Sequence, residues 1–377
     1  MAKSTTKNRA KTPRNLGPTL IPAPTLQYLP RGPKRYHPAI ALIGCGGITK
    51  WHLTASRNAG YNVAVLCDVD ISRAIERRDE FYPNAEVCDD YHKVFARDDI
   101  EVVDITTHPP QRPPIVEAAL RAHKHVLSQK PYVLDLDVGA RLADLADDMG
   151  VRLAVNQNGR WAPHFSYIRE AVHAGLIGSV SAVHCGVHWD HGWVKGTPFE
   201  HVRHLILYDF AIHWFDFLAT VLNDQPAERV YATMSWSATQ TVMPPLLAEA
   251  MIHYPAAQAS LVFDGHTPHG RLDRVFVTGS EGTLSSTGPN SEHQHVELTT
   301  KDGAARPTLK GCWFPDGFHG TMAELLSAIE ENREPTNSAH NNLTSLALCF
   351  AAVESAERGR PIVPGTIRRL PETGHDL

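Results

Sequence analysis

Five apolar residues, Ala39 to Ile43, run without a spacer into Gly44-Cys45-Gly46-Gly47-Ile48-Thr49. Lys50 to Asn58 then carries a helical pattern, and a second apolar run from Val63 closes on Asp68, 24 residues after Gly44. A strand, a glycine turn, a helix and a second strand ending in an acid fit one local geometry, the parallel β-α-β unit. Gly44 permits the tight turn, Gly46 lets the backbone approach a bound group, and the helix start offers free N–H groups.

That combination points to a bound dinucleotide. Gly44, Gly46, Gly47 and Ile48 would cradle its pyrophosphate, while the Asp68 carboxylate would accept from a ribose 2′-OH and repel a 2′-phosphate, so NAD is the expected cofactor. The third glycine position is Thr49, whose side chain must fit between helix and strand.

The 377 residues, 42% of them hydrophobic, suffice for two packed domains. No run of 18 or more apolar residues and no apolar leader is present, so neither a membrane span nor secretion is expected and a cytoplasmic location follows. Six cysteines without paired spacing read as reduced thiols. Charge is uneven: Met1 to Tyr36 holds 8 Lys and Arg and no acid, leaving 28 basic and 41 acidic residues in the body. An acidic body offers no groove for nucleic acid. The proline-rich arm, residues 1–37, lacks periodicity and is expected to run extended, its Leu20 to Pro30 portion along a neighbouring subunit.

From Pro38 to Asn158 helical and strand patterns alternate, which predicts a doubly wound parallel sheet of the Rossmann type. Beyond residue 159 several strand patterns follow one another without intervening helices, and helical patterns return at Tyr208 to Leu222, His319 to Glu331 and Leu343 to Arg358. The second domain is therefore expected to be α+β, with a large open sheet, mainly antiparallel or mixed, covered on one face. An uncovered face predicts a homo-oligomer, a dimer or tetramer.

Ligands of doubly wound sheets bind at the carboxyl ends of the strands. Polar residues gather there at Thr106-Thr107-His108, Ser128-Gln129-Lys130 and Asn156-Gln157-Asn158 with Arg160-Trp161. Lys130 is placed to donate to a substrate oxygen. Asp209 and His213, four residues apart, share one face of a continuous helix, so the carboxylate would orient an imidazole serving as proton acceptor. The segment His188-Trp189-Asp190-His191-Gly192-Trp193, followed by Arg203, combines indole faces with hydroxyl-binding groups and suits a carbohydrate or cyclitol. A zinc site through His184, Cys185, His188 and His191 is disfavoured, because strand alternation turns Cys185 away from the flanking histidines, and no metal is expected.

In this order and at these separations, the glycine turn with Asp68, Ser-Gln-Lys-Pro and Asp-x-x-x-His resemble the glucose-fructose oxidoreductase and inositol dehydrogenase (Gfo/Idh/MocA) family. The likeness extends through Asn158-Gly159-Arg160-Trp161-Ala162-Pro163, Gly175-Leu176-Ile177-Gly178 and Ser355 to Pro361. The resemblance implies an NAD-dependent oxidoreductase acting on a secondary hydroxyl or ketone of a sugar, glycoside or cyclitol, with Lys130, Asp209 and His213 as catalytic residues. It also implies cofactor contacts from Thr106, Thr107, His108, Gln129, Lys130, Asn158 and Trp161. Expected substrate contacts are Lys130, Arg160, His188, Trp189, Trp193, Arg203, Asp209 and His213. Two departures stand out: Gln129 replaces the family glutamate before the lysine, and Thr107-His108-Pro109-Pro110 with Arg112 replaces the usual Thr-Pro motif. A redox-assisted NAD-dependent glycosidase or lyase is the alternative activity, and a dinucleotide-binding regulator without catalysis the alternative class.

Overall fold

A computed structural model describes residues 17–222, 225–290 and 292–370. In the first domain six strands form one parallel sheet: β1 (Ala39–Ile43), β2 (Asn62–Cys67), β3 (Glu86–Cys88), β4 (Ile100–Ile105), β5 (His125–Gln129) and β6 (Leu153–Asn156), in the order β3-β2-β1-β4-β5-β6. The order reverses between β1 and β4, opening a crevice at their carboxyl ends. Buried on both faces, the strands read as continuous apolar runs.

The helices between them are α1 (Thr49–Asn58), α2 (Ile71–Phe81), α3 (Tyr91–Phe95), α4 (Arg112–Arg121) and α5 (Leu136–Asp148). Asp70, Asp90 and Asp135 cap α2, α3 and α5 by accepting from backbone N–H groups of the first turn, each worth about 1 kcal/mol. Ile48, at the start of α1, supplies no such side-chain cap.

In the second domain α6 (Pro163–His173) precedes β7 (Val180–His188), α7 (Ile212–Val221), β8 (Arg229–Ser235), β9 (Leu247–His253), β10 (Gln258–Asp264), β11 (Leu272–Gly279), β12 (Gly282–Gly288), β13 (His295–Thr300) and β14 (Gly303–Ala305). The strands form one sheet in the order β14-β13-β12-β11-β7-β10-β9-β8, mixed because β7 and β10 run parallel while the other neighbours run antiparallel. Val183, Cys185 and Val187 of β7, with Leu261, Phe263 and Val275, face the buried side. The opposite face leaves Met251 60% and Phe276 46% exposed.

Two helices close the chain, α8 (Asp316–Glu330) and α9 (Ala339–Arg358). The α9 helix packs on α7, α5 and β8. By contrast, α8 returns to the first domain, laying Met322, Leu325 and Leu326 on Ile40, Val102, Leu127 and Ala154. One face of the first sheet is thus covered by residues from the far end of the chain. The domains are also locked at Arg160, whose guanidinium is paired with Asp216 on α7 at 2.6 and 2.7 Å and donates to the Thr336 carbonyl.

Residues 19–36 are seated on their own chain: Ile21 and Thr19 exchange backbone hydrogen bonds with Ala304, Ser166 donates to the Tyr28 carbonyl, and Glu330 accepts from the N–H groups of Lys34, Arg35 and Tyr36. A β14 edge and an α6 surface provide partners that sequence could not reveal. The basic stretch before residue 17 lies outside the described residues. No helix among the described residues is long and apolar enough to cross a membrane.

Asp273, on the buried side of β11, has both carboxyl oxygens without a partner among the described residues, and burial raises its carboxyl to about 7. An acid with a raised folded-state pKa destabilises the fold as pH climbs from about 4 toward 7, because the unfolded chain ionises first. Asp273→Asn should therefore raise the unfolding free energy near neutral pH by roughly 1–3 kcal/mol, with the gain fading by pH 4 in denaturant titrations. An equal effect at both pH values would contradict the assignment.

Candidate functional site

At the end of β1 the chain turns through Gly44 with φ +97°, and a Cβ there would come within 3.0–3.2 Å of Thr106 and Thr107. Only glycine fits that conformation without strain. Gly46 and Gly47 have nothing within 4 Å of a would-be Cβ, so the backbone is open to close approach. Beyond them α1 begins with N–H groups unclaimed by a capping side chain, unlike the aspartate-capped α2, α3 and α5. Thr49, in place of the third glycine, is fully buried, and its hydroxyl donates to the Gly44 carbonyl at 2.9 Å beside the Thr106 hydroxyl. The departure thus stitches helix to turn. Asp68 accepts from Cys45 N–H at 2.7 Å and Asp70 N–H at 2.9 Å, which fixes its carboxylate at the carboxyl end of β2. This cradle fits a dinucleotide with a free ribose 2′-OH.

Two strands along, Lys130 follows β5. Its Nζ lies 2.5 Å from Asp209 Oδ1 and 2.9 Å from the Asp209 carbonyl, tying the first domain to the second. Arg112, at the start of α4, is fully buried and donates to the carbonyls of Thr107, Gln129 and Pro131, holding together the two strand ends that carry these groups. Burial lowers its guanidinium to about 10. Nothing in the sequence pattern revealed that role.

Asp209 does not orient His213. The chain from Leu205 to Phe210 forms a wide turn in which Ala211 N–H bonds the Ile206 carbonyl, and regular helix begins only at Ile212. The wider turn breaks the four-residue alignment, so the carboxylate meets Lys130 and the imidazole stands apart. His213 is 8% exposed, its Nδ1 is buried without a partner among the described residues, and burial and the Lys130 ammonium hold it well below the usual histidine range. Trp313 sets its orientation, meeting the ring edge-on at 5.2 Å and 86°. The indole N–H donates in turn to Asn158 at 2.7 Å. Trp313 was not legible from sequence, because it sits 100 residues from His213 on a loop without a motif.

The remaining expected residues divide. Gln129 and Asn158 are buried at the strand ends, with Thr107 and His108 at the rim. Trp189 packs on Trp214 at 5.6 Å, and Trp193, 54% exposed, stands against Phe210 beside Asp209. Four of the expected residues sit away from Lys130, Asp209 and His213. His188 alternates with buried Val187, so it lies on the open sheet face bonded to Asp264. Arg203 is spent on Glu357. Arg160 is held by Asp216, and Trp161 packs beneath Gly320 of α8. Both line a separate groove that contains none of Lys130, Asp209 and His213. Among the described residues no cluster of three or more His, Cys, Asp or Glu is arranged to hold a metal.

Comparison with known proteins adds an independent line. Residues 39–157 match the model of the GFO_IDH_MocA oxidoreductase family's NAD-binding Rossmann fold, and residues 165–285 match that of the GFO/IDH/MocA C-terminal domain. A D-apiose dehydrogenase from Paraburkholderia graminis is 26% identical over 345 residues, covering 85% of this chain and 88% of its own. An inositol 2-dehydrogenase from Rhizobium meliloti is 26% identical over 339 residues, covering 85% of this chain and 97% of its own. The fold superposes with a TM-score of 0.77, at 20% identity, on an Agrobacterium radiobacter oxidoreductase solved with NAD+, L-tartaric acid and magnesium, covering 87% of this chain and 99% of that one. With both domains matched in sequence, and with the glycine cradle and Asp68 in place, this chain belongs to the Gfo/Idh/MocA oxidoreductase family and carries its NAD-binding Rossmann domain.

Proposed function

We propose that the enzyme interconverts a secondary hydroxyl and a ketone on a sugar, glycoside or cyclitol, using Lys130, Asp209 and His213. The observation that carries this reading is a buried His213, held well below the usual histidine range by desolvation and the Lys130 ammonium, at the strand ends beside the dinucleotide cradle. Held by the Gly44–Ile48 turn and Asp68, NAD would supply the hydride acceptor for the carbinol carbon, or the hydride donor in the reverse direction. His213 Nε2 takes the hydroxyl proton as the C–O bond gains double-bond character and gives it back in reduction. Lys130 donates to the same oxygen and holds its developing negative charge, while Asp209 fixes the ammonium. Keeping His213 neutral suits oxidation, because an imidazole next to a cation must be bare to accept a proton.

Trp189, Trp193 and Phe210 supply aromatic faces for the C–H side of a sugar ring. The dehydrogenases of apiose and inositol among the relatives support that substrate class. Two copies joined through the open face around Met251 and Phe276, and a cytoplasmic location, complete the reading.

Incubation with NAD and a panel of pyranoses, glycosides and cyclitols tests it: net accumulation of NADH supports the dehydrogenase. Turnover without NADH would favour the redox-assisted lyase instead. His213→Gln should lower kcat about 10²- to 10⁴-fold while leaving NAD affinity within about twofold; near-native turnover would remove His213 from the chemistry. With His213 held below 6.5, kcat/KM for oxidation should stay level as pH falls from mildly alkaline values through 6.5. A loss centred at 6.5 or above would contradict its burial. Asp68→Ala should raise kcat/KM for NADP relative to NAD by about tenfold or more, and an unchanged ratio would move the ribose contact elsewhere.

A further inference from the structure

Gln129 is the clearest departure from the family pattern, and its surroundings account for it. His52 of α1 lies with Nδ1 2.7 Å from Asp104 Oδ2. A carboxylate accepts, so Nδ1 carries a proton; the Lys130 N–H claims Gln129 Oε1 and turns the amide nitrogen toward the ring, which makes Nε2 the acceptor. Two amide nitrogens converge on it: Gln129 Nε2 and Asn156 Nδ2, each at 3.1 Å. Gln129 Oε1 then faces the other way, accepting from the Lys130 N–H at 2.6 Å and from Asn156 Nδ2 at 3.2 Å. Asn156 Oδ1 accepts from Thr321 of α8 at 2.7 Å, and the Phe318 ring stands 4.9 Å from the imidazole. These donors and acceptors form one self-consistent set, and the side chains of His52, Asp104, Gln129 and Asn156 are all buried. Reversing the Gln129 amide would oppose two acceptors at Nε2 and two donors at Lys130.

We propose that His52, oriented by Asp104, is a positioning residue that fixes Gln129 and, through its Oε1, the backbone of Lys130. Residue 129 is an amide because a glutamate there would turn a carboxylate oxygen against the bare Nε2. The functional consequence rests on the reading of Lys130 as the substrate-contacting residue. The charged groups around the network are Asp104 on β4, Arg112 of α4 on the Gln129 carbonyl, and Lys130 itself.

The tests are 15N spectra of the histidines and steady-state kinetics of Gln129→Glu, His52→Gln, the double variant and Lys130→Ala. In the unmodified enzyme the spectrum should show His52 protonated at Nδ1 and bare at Nε2; a proton on Nε2 would overturn the proposal even if no variant folded. Gln129→Glu should demand a second proton on His52, now between two carboxylates. Its kcat should fall about ten- to a hundredfold at neutral pH and recover as pH is lowered, giving a limb that the unmodified enzyme lacks. Adding His52→Gln should restore part of the loss without that limb, since an amide N–H can donate to the introduced carboxylate. A Gln129→Glu enzyme with the unmodified rate and pH profile would refute the coupling, provided Lys130→Ala is impaired. Near-native turnover of Lys130→Ala would instead sink the reading of Lys130.

Discussion

The ion pair between Lys130 and Asp209 is the contact through which the two domains make one site. Lys130 leaves the carboxyl edge of the parallel sheet, whereas Asp209 sits on the wide turn ahead of α7, and both side chains are mostly buried. A paired ammonium in such a place is costly to strand: removing one partner of a buried pair typically costs several kcal/mol. The Arg160–Asp216 pair and α8, which packs on the first sheet, hold the same interface from behind. Domain arrangement and the geometry of the candidate site are therefore a single problem in this fold.

Burial does two kinds of work at that interface. It holds the His213 imidazole well below the usual histidine range, and it makes each internal polar group depend on its partners' directions. The set around His52 shows the second effect, because one bare nitrogen dictates the orientation of two amides. At His213 the orienting role falls to the edge of Trp313 and not to a carboxylate. Packing can hold a ring as firmly as a hydrogen bond while leaving its basicity to be set by desolvation and by Lys130.

The sequence by itself determined the elements whose causes are local. Gly44, the open glycines and Asp68 announced the dinucleotide cradle because a turn, a close approach and a strand-end acid require those residues at those separations. The alternation before residue 158 dictated a parallel sheet, and strand patterns in succession dictated the mixed one. Lys130 and His213 were legible through motifs that resemble the family. Tertiary structure alone decided which partners they meet. The spacing of Asp209 and His213 reads as one helical face, but a wide turn gives Asp209 to Lys130. Arg160 and Arg203 look like substrate ligands until Asp216 and Glu357 arrive from distant segments, and Trp313, Arg112 and His52 acquire roles only through neighbours far away in sequence. Local conformation follows from nearest neighbours along the chain, whereas side-chain partnership depends on which buried groups the folded core brings within hydrogen-bonding distance.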